Sequence, residues 1–247
     1  MSPPPPCPIC GSVTQTPFVR NADIDLFRCT GCGFTYMFPP PGPADLTALY
    51  ADTYAGASEG YFTKVERKLR RSRGRIRRLV RRLPGGAAGR SFLDVGCNGG
   101  FMVEAAREAG FAATGLEPDG AAVEWAKRHY PANTYIHGLL EHSTVAAASF
   151  DAIYCSEVIE HAPDPNRFVA AIAAALKPGG VLYLTTPDID HWRRPRDITA
   201  WDAFCPPSHC VYFNPGNLAL LLKNHGLAVE HRAVAFKPGI KLLARKA

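Results

Sequence analysis

The sequence predicts an α/β fold: a seven-stranded, mostly parallel sheet with helices on both faces, preceded by a small module built on four cysteines. Three observations predict it. From Ser91 onward, short apolar runs alternate with helical stretches, the pattern of parallel βαβ units. Before the proline run Phe38-Pro39-Pro40-Pro41-Gly42-Pro43, two Cys-x-x-Cys pairs stand in a stretch rich in Pro, Cys and Gly. The 247 residues, with 47% hydrophobic and 20% charged side chains, suffice for one large core and a small appendage, which excludes a mainly disordered chain. No apolar run reaches the roughly 18 residues needed to span a bilayer, and Met1 to Pro6 lacks the basic and apolar parts of a signal peptide. Cys97, Cys155, Cys205 and Cys210 are scattered singly, which suits a reducing compartment, so a cytoplasmic location is expected.

Residues 1–40 read as a zinc-ribbon module. Cys7-Pro8-Ile9-Cys10-Gly11 and Cys29-Thr30-Gly31-Cys32-Gly33 share one form and are separated by eighteen residues. Two residues between cysteines let a tight turn aim both thiolates at one ion, and the following glycine permits the left-handed backbone that turns amides toward sulfur. Four thiolates leave no open position for water, so Cys7, Cys10, Cys29 and Cys32 are expected to hold a structural zinc. Nucleic acid is not the expected partner, because residues 11–28 offer only Arg20 and Arg28 as cations.

Residues 41–89 read as a linker followed by a basic amphipathic helix. Apolar residues at Phe62, Val65, Leu69, Ile76, Leu79 and Leu83 follow helical spacing until Pro84-Gly85-Gly86 stops the pattern. Eleven of the 28 Lys and Arg fall between Lys64 and Arg82, within a net charge of +6. One reading has the apolar stripe covering an edge of the sheet with the charge in water. The other makes the helix an electrostatic surface for an anionic acceptor or a membrane. Tyr50, Tyr54 and Tyr61 just before it are candidate walls of an acceptor pocket.

In residues 90–247 the expected strands are Ser91 to Val95, Ala112 to Leu116, Thr134 to His137, Phe150 to Cys155, Gly180 to Thr185, Leu227 to Val234 and Ile240 to Ala244. Helices are expected from about Gly99, from about Asp119, from Pro165 to Leu176 and from Pro215 to His225. Phe92-Leu93-Asp94-Val95-Gly96-Cys97-Asn98-Gly99-Gly100 places an acid at the end of a buried strand, then a glycine-rich turn that opens a helix and lets backbone approach a ligand. Twenty-three residues after Asp94, Gly115-Leu116-Glu117 ends the second strand on a carboxylate able to accept hydrogen bonds from a ribose.

Together with Phe150-Asp151-Ala152-Ile153-Tyr154-Cys155-Ser156-Glu157-Val158-Ile159-Glu160-His161-Ala162-Pro163-Asp164-Pro165 and Leu176-Lys177-Pro178-Gly179-Gly180, these motifs resemble the class I S-adenosylmethionine (SAM) dependent methyltransferases. The branch they resemble includes the ubiquinone O-methyltransferases. The resemblance implies a Rossmann-like sheet in the order 3-2-1-4-5-7-6 with its seventh strand antiparallel. It also implies that Asp94, Gly96 and Gly100 hold the methionine half of SAM and Glu117 its ribose. Two departures stand out: Asn98 replaces the middle glycine of the turn, and Leu139 replaces an acid that receives the adenine amino group. Asn tolerates left-handed backbone. Leu139 and Leu140 are then expected to sandwich adenine, with Ser156 completing the cofactor set. NAD is the rival ligand, but a hydride-transfer enzyme wants Gly-x-Gly-x-x-Gly and a substrate domain, and this chain shows neither.

A sulfonium methyl is already activated, so alignment supplies much of the rate, and a general base is needed only when the acceptor must lose a proton. His161 shares a helix face with Glu157 and Glu160. It is a base, part of the divalent-cation site that the resemblance implies, or a histidine that fixes a loop. His209, in Ser208-His209-Cys210-Val211-Tyr212-Phe213-Asn214-Pro215, is the first candidate for the base, against a structural role before the next helix. That segment resembles one in many of these enzymes and in sugar C-methyltransferases, which also carry an N-terminal zinc module. Pro206, Pro207 and Ser208 replace that group's Tyr, His and Glu, so C-methylation is not expected.

The expected function is SAM-dependent methylation of a small-molecule acceptor, a sugar, glycan-associated or secondary-metabolite hydroxyl or amine, anionic acceptors included. An RNA methyltransferase and a non-catalytic scaffold are the alternatives. Cys155-Ser156-Glu157-Val158 stands where amino-group nucleic-acid methylases carry Asn/Asp-Pro-Pro-Tyr/Phe, which argues against base N-methylation.

Overall fold

The computed structural model describes residues 4–20, 24–42 and 62–247. Its centre is a seven-stranded sheet made by β4 (Ser91–Val95), β5 (Ala112–Glu117), β6 (Thr134–His137), β7 (Phe150–Ser156), β8 (Leu176–Thr186), β10 (Leu227–Arg232) and β11 (Ile240–Lys246). The order is β10-β11-β8-β7-β4-β5-β6, with β11 antiparallel to both neighbours, as the resemblance implies.

Strand alternation divides the core. Phe92, Ala152, Tyr154, Val181 and Leu243 face one layer, while Leu93, Ile153, Cys155, Leu182 and Leu242 face the other. The first layer is closed by α1 (Val65–Val80) and α2 (Phe101–Glu108), through Leu69, Ile76, Leu79 and Val103. The second is closed by α4 (Pro165–Ala175) and α5 (Pro215–Asn224), through Phe168, Ile172, Leu218 and Leu222. Helix α3 (Gly120–His129) packs on β5 and β6. Among the described residues no helix is long and apolar enough to cross a membrane.

Helix α1 lies on a face of the sheet beside α2 and not along an edge. Its apolar stripe is interrupted by Ser72, buried like Leu69 and Ile76, so the stripe continues without the apolar residue that the spacing asked for. The candidate acceptor walls Tyr50, Tyr54 and Tyr61 lie outside the described residues.

The N-terminal segment forms β1 (Gln15–Arg20), β2 (Asp25–Cys29) and β3 (Thr35–Met37), an antiparallel sheet. Its fourth strand, β9 (Val211–Tyr212), comes from the far end of the chain and pairs Thr35 with Tyr212 and Tyr36 with Val211. Nothing in a two-residue run announces a strand, since periodicity needs more residues to show. Phe34 closes the joint against Phe213, with ring centroids 5.3 Å apart.

Candidate active site and metal centre

β4 and β5 run parallel with Val95 beside Leu116, so the turn after β4 and the carboxylate ending β5 meet at the C-terminal ends of the two strands. The amides of Gly96 and Cys97 both donate to Leu116 O, at 2.8 and 3.1 Å. Gly96 has φ +75°, and a Cβ there would stand 2.6 Å from a methyl of Val158. Asn98 is left-handed at φ 44°, as its tolerance for that region predicts. Glu117, 1% exposed, fixes the turn: Oε2 accepts from Asn98 N at 2.8 Å and Oε1 from Asp119 N at 3.0 Å. Each oxygen retains capacity for another donor.

A cavity of about 920 Å³ opens over this turn, within the range of small-molecule sites. Asp94, Gly96, Asn98, Glu117, Leu139, Leu140, Ser156 and His161 all line it; Gly100 and His209 do not. Gly100 instead starts α2 with its Cα against Tyr135, where a Cβ would meet the phenol oxygen at 2.6 Å. Ser156 Oγ lies 2.7 Å from Thr185 Oγ1, which donates to Glu157 Oε1 at 2.7 Å. Burial pushes the Asp94 carboxyl well above its usual range; Glu117 adds to the shift and Arg75 opposes it. Burial also raises Glu117, against the two amides that favour its charge. Two crowded carboxylates at one end of a cavity favour a ligand that brings positive charge, and SAM carries an ammonium and a sulfonium.

Sequence reasoning offered the basic helix as a surface for an anionic acceptor without saying which of its cations would serve. Lys68, Arg71, Ser72 and Arg75, spaced for one helix face, line the cavity from α1. The signal was the same spacing that marks the apolar stripe, set one residue aside. Arg71 and Arg75 are exposed as well as lining the cavity, and Arg67, Arg70, Arg77 and Arg78 are exposed outside it.

The two candidate histidines meet edge to face with centroids 4.6 Å apart. His161 Nδ1 lies 2.8 Å from Ser208 O, and His209 Nδ1 lies 2.8 Å from Ala203 O. A carbonyl only accepts, so each Nδ1 carries the proton and each Nε2 keeps a lone pair. Burial lowers the pKa of His161, while burial and the neighbouring His161 push that of His209 down to about 4.

Beside them Glu160 is fully buried; its Oε2 accepts from Thr186 Oγ1 at 2.9 Å and its Oε1 has no partner. Glu160, His161 and His209 bring one ligand atom each within 4.8 Å of one another, a donor set that fits a divalent cation. Glu157, which the resemblance places in such a set, bonds Thr185 instead.

Burial, then the charge of Glu157, pushes the Glu160 carboxyl up to about 8. Well below pH 4 the group is protonated in both folded and unfolded chains and contributes nothing. Between an unfolded value of about 4.3 and 8, only the unfolded chain releases the proton, so stability falls as pH rises and levels off above. Glu160→Gln is therefore expected to gain stability relative to the parent chain from pH 5 to 8 in denaturant titrations without added divalent cation. Parallel curves would contradict that assignment.

Cys7 Sγ lies 3.7 Å from Cys32 Sγ and Cys10 Sγ 3.6 Å from Cys29 Sγ, all four sulfurs within 4.8 Å of one another. A tetrahedral zinc with Zn–S bonds of about 2.3 Å needs sulfurs about 3.8 Å apart. The cluster fits that ion.

The family model described as "Methyltransferase domain" matches residues 67–232. The chain belongs to this methyltransferase family, the SAM-dependent class that its motifs resemble. Among curated relatives, the ubiquinone biosynthesis O-methyltransferase of Haemophilus ducreyi is 38% identical over 110 residues, 41% of this chain and 47% of that protein. That of Coxiella burnetii is 38% identical over 102 residues, 40% of this chain and 44% of that protein. The match thus spans about half the length of these relatives.

Among solved structures, the 1,6-didemethyltoxoflavin-N1-methyltransferase of Burkholderia thailandensis, with bound S-adenosylhomocysteine, has TM-score 0.61 at 16% identity, covering 94% of this chain and 99% of that one. A SAM-dependent methyltransferase from Mesorhizobium loti has TM-score 0.56 at 20% identity, covering 68% and 96%. These two likenesses concern the fold.

Proposed function

We propose that the chain transfers the methyl group of SAM to a hydroxyl of a small-molecule acceptor in the cytoplasm, with His161 as the general base. The observation that carries this reading is the meeting, in one cavity, of the Gly96 turn, the Asp94 and Glu117 carboxylates and the His161 imidazole. SAM bound there supplies an activated methyl. Glu117 would take the ribose hydroxyls on its remaining lone pairs, Asp94 the ammonium, and Leu139 and Leu140 the adenine faces. Nε2 of His161, its tautomer fixed by Ser208 O, would take the acceptor proton. His161 replaces His209 as first choice because it lines the cavity while His209 stands behind it.

The O-methyltransferase relatives favour an oxygen over a nitrogen, and their name favours a phenol-like acceptor over a sugar or glycan. Lys68, Arg71 and Arg75 favour one bearing negative charge. Incubation with SAM and a panel of phenolic acids tests this: S-adenosylhomocysteine should form with a free hydroxyl and not with its methyl ether. Equal formation with both would refute the assignment.

The orphaned Glu160 Oε1 supports a second reading, a divalent cation between Glu160, His161 and His209 that binds the acceptor oxygen. Turnover that stops on mild chelation with zinc retained, and returns with magnesium or manganese, would replace the base mechanism with this one. The four cysteines are read as a structural zinc site: metal analysis without added zinc should give one zinc per chain. A metal-free chain with the N-terminal sheet still ordered would contradict it.

A further inference from the structure

The four-cysteine knuckles are bonded directly to the helices that flank the candidate base. Asn214 Nδ2 and Asn217 Nδ2 both donate to Cys32 O, at 3.2 and 3.3 Å. The same two residues form the capping box that starts α5, and Asn217 is 1% exposed. On the other knuckle, Asn166 donates to Pro8 O at 2.7 Å and Asn224 to Ile9 O at 3.1 Å. Arg28 and Asn214 meet on Asp190, at 2.8 and 2.9 Å.

The strand entering α5 is held from both sides: Met37 N donates to Cys210 O, while Cys210 N donates to Glu160 O. Immediately before it come Ser208, whose carbonyl fixes His161, and His209. Asp94, Gly96 and Glu117 take their positions from β4 and β5, in the other sheet.

We propose that the metal knuckle positions the acceptor side of the active site: Asn214 and Asn217, acting through Cys32 O, set the segment Ser208 to Phe213 and with it the orientation of His161. Zinc occupancy then governs the base and the acceptor wall and leaves SAM binding alone. This rests on the reading that the cysteines hold zinc.

The test compares the full zinc-loaded chain with the same protein stripped by chelator, by hydrogen exchange and SAM titration. Stripping should speed amide exchange over residues 208–213 by roughly tenfold or more, the loss of two hydrogen bonds to one carbonyl. SAM affinity should move by less than about twofold, as for independent sites. Asn217→Asp keeps the oxygen that accepts from Asn214 N in the capping box but loses the donor to Cys32, and should speed the same exchange with zinc still bound. A zinc-binding chain whose 208–213 exchange ignores both changes overturns this proposal alone, as does a parallel loss of SAM binding. A chain that takes up no zinc overturns the zinc reading along with it.

Discussion

His161→Ala is expected to lower methyl transfer by about 10²- to 10⁴-fold, the usual contribution of a general base, with SAM affinity little changed. The imidazole lines the cavity, its Nδ1 proton is committed to Ser208 O, and its lowered pKa keeps Nε2 unprotonated at neutral pH. Activity should therefore fall only as the medium becomes more acidic than an ordinary histidine would require. His161→Gln separates chemistry from position, because an amide donates to Ser208 O but takes no proton at neutral pH. It should be nearly as inactive as the alanine variant. His209→Ala should cost less, since that ring supports His161 edge to face. A larger loss at His209, measured as single-turnover rates at saturating SAM, would return the base to the residue favoured by sequence.

Glu117→Ala should weaken SAM binding by about 1 to 3 kcal/mol, the range for hydrogen-bonding groups left unpaired. The carboxylate does two jobs. Its remaining lone pairs are the proposed acceptors for the ribose hydroxyls, and its bonded ones hold the Asn98 and Asp119 amides that shape the turn. Calorimetry should show a dissociation constant about 5- to 150-fold weaker with the thermal transition retained. Unchanged affinity would move the ribose contact elsewhere.

What the sequence revealed follows from the range of the interactions involved. Strands β4, β6 and β7 and helices α4 and α5 were legible to within a residue or so, because apolar runs bounded by Gly and Pro are local signals. The αL turn at Asn98 was legible for the same reason.

What escaped depends on partners distant in the chain. β9 exists because β3 offers it an edge, some 175 residues away in sequence. The pairing of His161 with His209, and the buried position of Glu160, follow from the same crossing of Cys210 beside Glu160. Helix α1 was legible as amphipathic and basic, but which of its cations faces a cavity is set by its packing on α2, so Lys68, Arg71 and Arg75 could not be told from their neighbours. Gly100 shows the converse. A glycine in the right motif served the helix start and the Tyr135 contact and took no place in the cavity wall.

The measurement that bears most directly on this account is calorimetric titration of the folded, metal-loaded chain with SAM, with NAD as the parallel ligand. SAM is expected to bind at one site per chain and to be displaced by S-adenosylhomocysteine, while NAD gives no saturable heat. A folded chain that fails to bind SAM, or that binds NAD in its place, would contradict the assignment of the Asp94, Gly96 and Glu117 cavity to the methyl donor.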